Sequence, residues 1–289
     1  MRQEVLGELR LDREESALLD NHSLLNLFNV LEMQLALVSA QIPEAGLKRF
    51  AEFCLDVLVN LSRTGLQSQL PGMERNCGEL RDVVEELLRK HPQVSELLAG
   101  VMEIISIGHA RLEEFKGNRF SWGAIPHEVF RSTLHSFLRA TERVSQERFR
   151  FAFPPGDPVS DAYWIDFRIE PPGDSLYSPV VLHDTIRDLV GNARKYSDPG
   201  VIRIDLQSEG EKGVRLGVSD NGYGIPEEEI DKVVHFGYRA TNVMDRRTMG
   251  GGFGLTKAYH LCKKNSGRFF IESEIGKGTT IEMTLFDAI

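Results

Sequence analysis

Residues 220–226 read DNGYGIP, and this stretch constrains the fold more than any other. It follows residues 214–219, where apolar and polar side chains alternate as in a half-buried strand. Residues 227–235 after it are expected to form a helix. A strand thus ends in the carboxylate of Asp220, and a turn with two glycines leads into the next element. Gly222 and Gly224 permit positive φ and let the backbone approach a ligand closely. A carboxylate at such a strand end can accept a hydrogen bond from an exocyclic amine, as on adenine. Guanine carries an acceptor at that position and would leave the buried acceptor without its donor. A tight turn alone uses the same residues, so the neighbouring stretches decide the reading.

The chain has 289 residues, enough for about two domains. Its formal net charge of −9 argues against nucleic acid or an anionic membrane as the main partner. No window reaches the roughly 18 uninterrupted apolar residues that span a bilayer, so no transmembrane segment is expected. Residues 1–8 carry acids and no apolar core, unlike a secretion signal. Cys54, Cys77 and Cys262 are odd in number and scattered without metal-site spacing. They read as reduced thiols of a cytoplasmic protein.

The first 150 residues read as almost entirely helical. A helix is expected over about 12–41, opened by Asp12 and Glu15 in the pattern of a capping box. Leu24, Phe28, Leu31, Leu35, Val38 and Ile42 recur at spacings of three and four, the seam of a helical hairpin. A second helix over about 45–68 returns antiparallel, and Leu70-Pro71-Gly72 is expected to end the hairpin. More helix follows over about 77–90, 93–115 and 127–148. The composition changes at 151–158, a stretch with three prolines, which marks the domain boundary. Beyond it strands are expected at 163–169, 201–206, 214–219, 268–273 and 279–286, with helices at 179–196, 227–235 and 254–265. The expected fold is therefore a helical hairpin or bundle (residues 1–70, with an additional helical region at 71–150) followed by an α/β layer domain at 151–289.

Four stretches of the second half carry the chemistry. The first, DLVGNARKYS at 188–197, lies on a helix. Asp188, Asn192 and Lys195 fall at i, i+4 and i+7 and share one face. A carboxylate, an amide oxygen and an ammonium together suit a Mg2+-phosphate group; a solvated helix face is the plainer alternative. The second stretch is DNGYGIP. The third is FGYRAT at 236–241, and the fourth GGGFGL at 250–255, opening the helix with Thr256 and Lys257. Glycines before a helix leave its first N–H groups free to face phosphate oxygens. The polar segment 242–248 between the last two is suited to closing over a nucleotide.

In that order, these stretches resemble the N box, first glycine box, F box and second glycine box of the GHKL superfamily, in its sensor histidine kinase branch. The resemblance covers residues 160–286 and implies a Bergerat-type α/β sandwich that binds ATP and Mg2+. It implies that Asn192 holds Mg2+, with Asp188 beside it, although Asp188 stands where the family has Asn or Glu. It implies that Asp220 binds the adenine amine, that Lys195 approaches the phosphates, and that Thr279 supports the base. Tyr196, Gly222, Gly224, Arg239 and Leu255 complete the implied nucleotide set, and Gly250, Gly252 and Gly254 form the phosphate-facing turn.

Of eight histidines, only His22 is followed four residues later by Asn, here Asn26. The two share a face of the first helix, beside its apolar seam. The stretch HSLLNLFNVL at 22–31 resembles the phosphoacceptor box of dimerisation and phosphotransfer hairpins. The resemblance implies a homodimer through these helices and a response-regulator receiver domain as partner. Ser23 departs from the pattern, since the residue after the phosphoacceptor is commonly an acid and a serine is no comparable base at neutral pH. His183-Asp184 does have the His-acid order but lies inside the 179–196 helix and reads as structural. The function expected is a protein histidine kinase that autophosphorylates His22. A Ser/Thr protein kinase of the same superfamily and a nucleotide-binding pseudokinase or phosphatase scaffold, favoured by Ser23, are the alternatives.

Overall fold

The structure is a computed structural model. It describes residues 2–7, 9, 11–43, 46–64, 66–117, 121–144, 149–154, 161–170, 173–245 and 253–287. In chain order the elements are β1 (Arg2–Glu4), α1 (Arg13–Gln41), α2 (Lys48–Thr64), α3 (Leu66–Lys90), α4 (Ser95–Gly117), β2 (Trp122–Pro126), α5 (His127–Val144), β3 (Arg150–Ala152), β4 (Ala162–Glu170), β5 (Ser175–Pro179), α6 (Leu182–Lys195), β6 (Val201–Ser208), β7 (Gly213–Asp220), α7 (Gly254–Lys264), β8 (Arg268–Glu274) and β9 (Gly278–Phe286). The chain divides into two compact units. One comprises residues 1–15, 122–131 and 142–289, the other residues 16–121 and 132–141.

The first unit is built on a mixed sheet ordered β1-β8-β9-β7-β6-β4-β3. β3, β4 and β6 run parallel; the other pairings are antiparallel. Alternation decides the buried face. Ile202, Ile204 and Leu206 of β6, Val214, Leu216 and Val218 of β7, and Met283 and Leu285 of β9 are buried. Leu182, Ile186, Leu189 and Val190 of α6 and Ala258, Tyr259 and Leu261 of α7 supply the buried helix layer. The result is a two-layer α/β sandwich, as the alternating pattern predicts.

Four strands were not expected: β1, β2, β3 and β5, of which β3 pairs parallel with β4. β1 pairs with β8 at the sheet edge, so the start of the chain joins the sandwich. Tyr259 donates its hydroxyl to the carbonyl of Val5 at 3.1 Å and also to that of Gly7. β2 and β5 form a separate antiparallel pair. Residues 227–235, expected as a helix, make only a short 3-10 turn at Glu227–Glu229 and further turns. The cause is a competing partner. Glu229 is buried and accepts both the N–H and the hydroxyl of Thr241, which holds the segment in a turn rather than a continuing helix.

The second unit is a helical bundle. Asp12 and Glu15, at the entry to α1, make a reciprocal capping box: Glu15 N–H donates to Asp12 at 2.8 Å and Asp12 N–H to Glu15 at 3.0 Å. α2 and α3 differ from the expected hairpin end, because Pro71 and Gly72 lie inside α3. The apolar stripe Leu70, Met73, Cys77, Leu80 and Val84 continues through the proline, and all five are buried. Burial of that stripe outweighs the backbone hydrogen bond a proline removes.

Four helices of this unit close into a ring. Phe28 of α1 meets Phe53 of α2 edge-on at 5.9 Å. Arg49 of α2 pairs with Glu79 of α3 at 3.3 Å. Glu74 of α3 pairs with Lys116 of α4. A β-carbon at Gly108 of α4 would lie 3.2 Å from Leu27 of α1. The α1 seam, Leu24 to Ile42, is at most 4% exposed in a single chain. Helices of the same chain therefore cover the seam, as expected of a helical hairpin. Cys54, Cys77 and Cys262 are free and buried. Among the described residues no helix is long and apolar enough to cross a membrane.

Candidate nucleotide site

The site is built at the end of β7, beside α6. Asp220 is the last residue of β7 and pairs across the sheet with Thr279 of β9. Its Oδ1 accepts the N–H of Gly222 at 2.8 Å and of Thr279 at 3.3 Å. Burial pushes its carboxyl up to about 6, and those two N–H donors only partly offset the desolvation. The glycines are sterically required. A β-carbon on Gly222 would sit 2.2 Å from the carbonyl oxygen of Tyr196, and one on Gly224 would sit 2.2 Å from that of Glu274. Gly224 also has φ +70°. Ser273 knits the turn to the closing strands. Its hydroxyl accepts the Ile225 N–H at 2.8 Å, donates to the Gly278 carbonyl and lies 2.9 Å from Thr279 Oγ1.

An open cleft lies against this strand end, bordered by α6, β7 and β9. Its walls are apolar: Leu189 and Ala193 of α6, Val218 of β7, Ile281 of β9, and Val233 and Val243 from the turns. Asn192, Tyr196, Asp220, Arg239 and Thr279 bring polar groups to it, and Gly224 and Leu255 also line it. An apolar cleft with one half-buried carboxylate at its end suits a heteroaromatic base carrying an amine.

Seven expected site residues thus meet in one cleft: Asn192, Tyr196, Asp220, Gly224, Arg239, Leu255 and Thr279. Gly222 stands behind Asp220 as its hydrogen-bond donor. Gly254 opens α7 directly over α6, where a β-carbon would lie 3.1 Å from Asn192 Nδ2. Gly250 and Gly252 lie outside the described residues. Asp188 and Lys195 are not among the residues lining the cleft. Burial lowers the Lys195 ammonium, with Arg194 and Arg239 adding to the effect and Asp188 opposing it. The Asp188 carboxylate is held by Lys257 of α7 and lies 3.6 Å from Arg187. The sequence reading did not anticipate this pairing, nor the apolar walls. Lys257 sits in the first turn of α7 just after the GGGFGL stretch, which does not say which carboxylate it meets, and the walls read only as ordinary core positions.

His183 is buried and stacks on Phe130 at 4.4 Å with planes 7° apart. Burial pushes its imidazole down to about 4, and the neighbouring Asp184 pairs with Arg187 at 2.8 Å. This is a packed neutral histidine, in agreement with its structural reading. His22 and Asn26 lie on α1 in the helical unit. The His22 side chain falls outside the described residues, and Asn26 is half-buried.

Comparison with known proteins places this geometry. Residues 178–289 match the family described as histidine kinase-, DNA gyrase B-, and HSP90-like ATPase. The chain is 33% identical over 103 residues to the sensor histidine kinase AruS of Pseudomonas aeruginosa, covering 34% of this chain and 10% of that protein. It is 32% identical over 127 residues to the sensor histidine kinase WalK of Bacillus subtilis, covering 42% of this chain and 21% of that protein. A solved mycobacterial sensor histidine kinase, MprB, is similar at 19% identity with a TM-score of 0.39, covering 58% of this chain and 97% of that one. The chain thus spans at most about a fifth of the length of these two curated relatives. Residues 178–289 are therefore similar to the histidine kinase-, DNA gyrase B- and HSP90-like ATPase family, and the curated relatives that this region resembles are sensor histidine kinases.

Proposed function

We propose that the chain is an ATP-dependent protein histidine kinase that transfers the γ-phosphoryl group of ATP to His22 and then to a response-regulator aspartate. One observation carries the reading. The half-buried Asp220 carboxylate, fixed by the Gly222 and Thr279 N–H groups, closes an apolar cleft bordered by Asn192. The match of residues 178–289 to a nucleotide-hydrolysing family, and of the curated relatives to sensor histidine kinases, supports the same reading.

In this account Asp220 accepts the adenine amine, with Thr279 beside it. Leu189, Val218 and Ile281 exclude water from the base. The N–H groups opening α7 face the phosphates, aided by the helix dipole. Arg239 and Lys195 add positive charge. The hard amide oxygen of Asn192 fits Mg2+, which commonly keeps its waters and takes few protein ligands beside substrate phosphates. Bound Mg2+ would neutralise charge on the transferring group. The imidazole of His22 would then attack phosphorus in line, with Asn26 orienting the acceptor or a water. A homodimer, implied by the resemblance, would use a surface other than the α1 seam, which this chain covers itself. A cytoplasmic location fits three free cysteines.

Incubation with γ-labelled ATP tests the reading. Acid-labile, base-stable label is expected on the wild type and absent from His22→Ala and Asn192→Ala. Label that survives His22→Ala overturns the assignment to His22. Acid-stable label on a partner protein indicates the Ser/Thr kinase reading. Nucleotide binding without any label indicates the scaffold reading that Ser23 favours.

A further inference from the structure

Beside the cleft, four charged side chains are packed between α6 and α7. Asp184, Arg187 and Asp188 come from α6, and Lys257 from the first turn of α7. Lys257 pairs with Asp188 Oδ2, and the two side chains are 14% and 12% exposed. Arg187 reaches Asp188 Oδ1 at 3.6 Å and Asp184 at 2.8 Å. Both oxygens of Asp188 therefore face a cation of the protein.

The geometry around this pair is specific. Gly254, three residues before Lys257 and on the same face of α7, abuts α6 at two points. A β-carbon there would lie 3.1 Å from Asn192 Nδ2 and 3.4 Å from Asp188 Cβ. The first turn of α7 is thus fixed to α6 by a glycine contact over Asn192 and by an ion pair one turn along. That first turn carries the N–H groups expected to face phosphate.

We propose that Asp188 and Lys257 form a positioning clamp that sets the phosphate-facing turn of α7 against Asn192, and that Asp188 is not a metal ligand. The inference rests on the nucleotide reading of the cleft. A carboxylate already neutralised by Arg187 and Lys257 offers little further attraction to a cation. Ligation of Mg2+ by Asp188 would require Lys257 to let go, leaving a buried ammonium without its partner. A clamp and a ligand differ in what metal does to them. Loss of a metal ligand weakens binding only when metal is present. Loss of a clamp weakens binding of the phosphates with or without metal, and removing either partner has the same effect.

Calorimetric titration of ADP into the full chain separates these, once with Mg2+ and once with EDTA. Asp188→Asn and Lys257→Met are each expected to weaken ADP about tenfold in both conditions. The double variant is expected to be no weaker than the worse single one, and the exchanged pair Asp188→Lys/Lys257→Asp to recover part of the loss. If either single variant fails to fold by circular dichroism, the double variant carries the test, because it leaves no member of the pair charged. Loss confined to the Mg2+ titration for Asp188→Asn, with Lys257→Met unchanged, overturns the clamp and makes Asp188 a metal ligand. Unchanged affinity in all variants also overturns it. A wild-type chain that binds no ADP in either condition overturns instead the nucleotide reading on which the clamp depends.

Discussion

Asp220 combines two demands that oppose each other. It must be partly withdrawn from water to discriminate between bases, and that desolvation disfavours its charged form. Its carboxyl sits at about 6, against an ordinary 3.8. The folded chain therefore holds a proton that the unfolded chain releases. Stability falls as pH rises from about 4 to about 6, and the cost is fully present above 6. Binding of an amine donor has the opposite dependence, because it needs the carboxylate. ADP affinity is expected to fall by up to about tenfold per unit as pH drops below 6, and Asp220→Asn should flatten that profile. A profile in the wild type that is flat between pH 5 and 7 would contradict the role given to this carboxylate. Gly222 makes a separate prediction at the same scale. Gly222→Ala places a methyl 2.2 Å from the Tyr196 carbonyl and is expected to destabilise the sandwich by about 1–3 kcal/mol, read as a lower unfolding midpoint.

At the scale of elements, local chemistry and tertiary context can be told apart. The Asp12–Glu15 box forms in the structure as its spacing predicts, and Asp12→Ala should cost about 1 kcal/mol. The core strands β4, β6, β7, β8 and β9 were legible because their apolar alternation is long enough to count. β1, β2, β3 and β5 were not: each has three to five residues, and a strand that short is defined by its partner rather than its own pattern. Pro71 shows the reverse error, a strong local signal overridden by packing. Pro71→Ala is therefore expected to stabilise the helical unit by about 1–2 kcal/mol, since it restores a backbone hydrogen bond in α3. Unfolding by denaturant would check both substitutions. At the site, Asp220, Asn192 and Gly254 could be found from motif residues in order. The pairing of Asp188 with Lys257 could not, because it joins two helices 69 positions apart and each residue was read with its own stretch rather than with the other.

For the whole molecule, the helical unit and the sandwich each have a closed core within one chain. The α1 seam is buried within the chain, where Phe28 meets Phe53 of α2 and Leu27 approaches Gly108 of α4. Leu31→Ala in that seam should accordingly lower the thermal unfolding midpoint by the same amount at low and at high protein concentration, because no second copy contributes to that core. A loss that shrinks on dilution would mean that a partner copy does. What the sandwich holds is the central claim, and base discrimination tests it most directly. Parallel titrations of ADP and GDP into wild type and Asp220→Ala are expected to give tight ADP binding in the wild type alone. GDP should bind roughly 10–100-fold more weakly, because its base offers the carboxylate no donor. Equal affinity for the two bases, or ADP binding that Asp220→Ala leaves unchanged, would contradict the account.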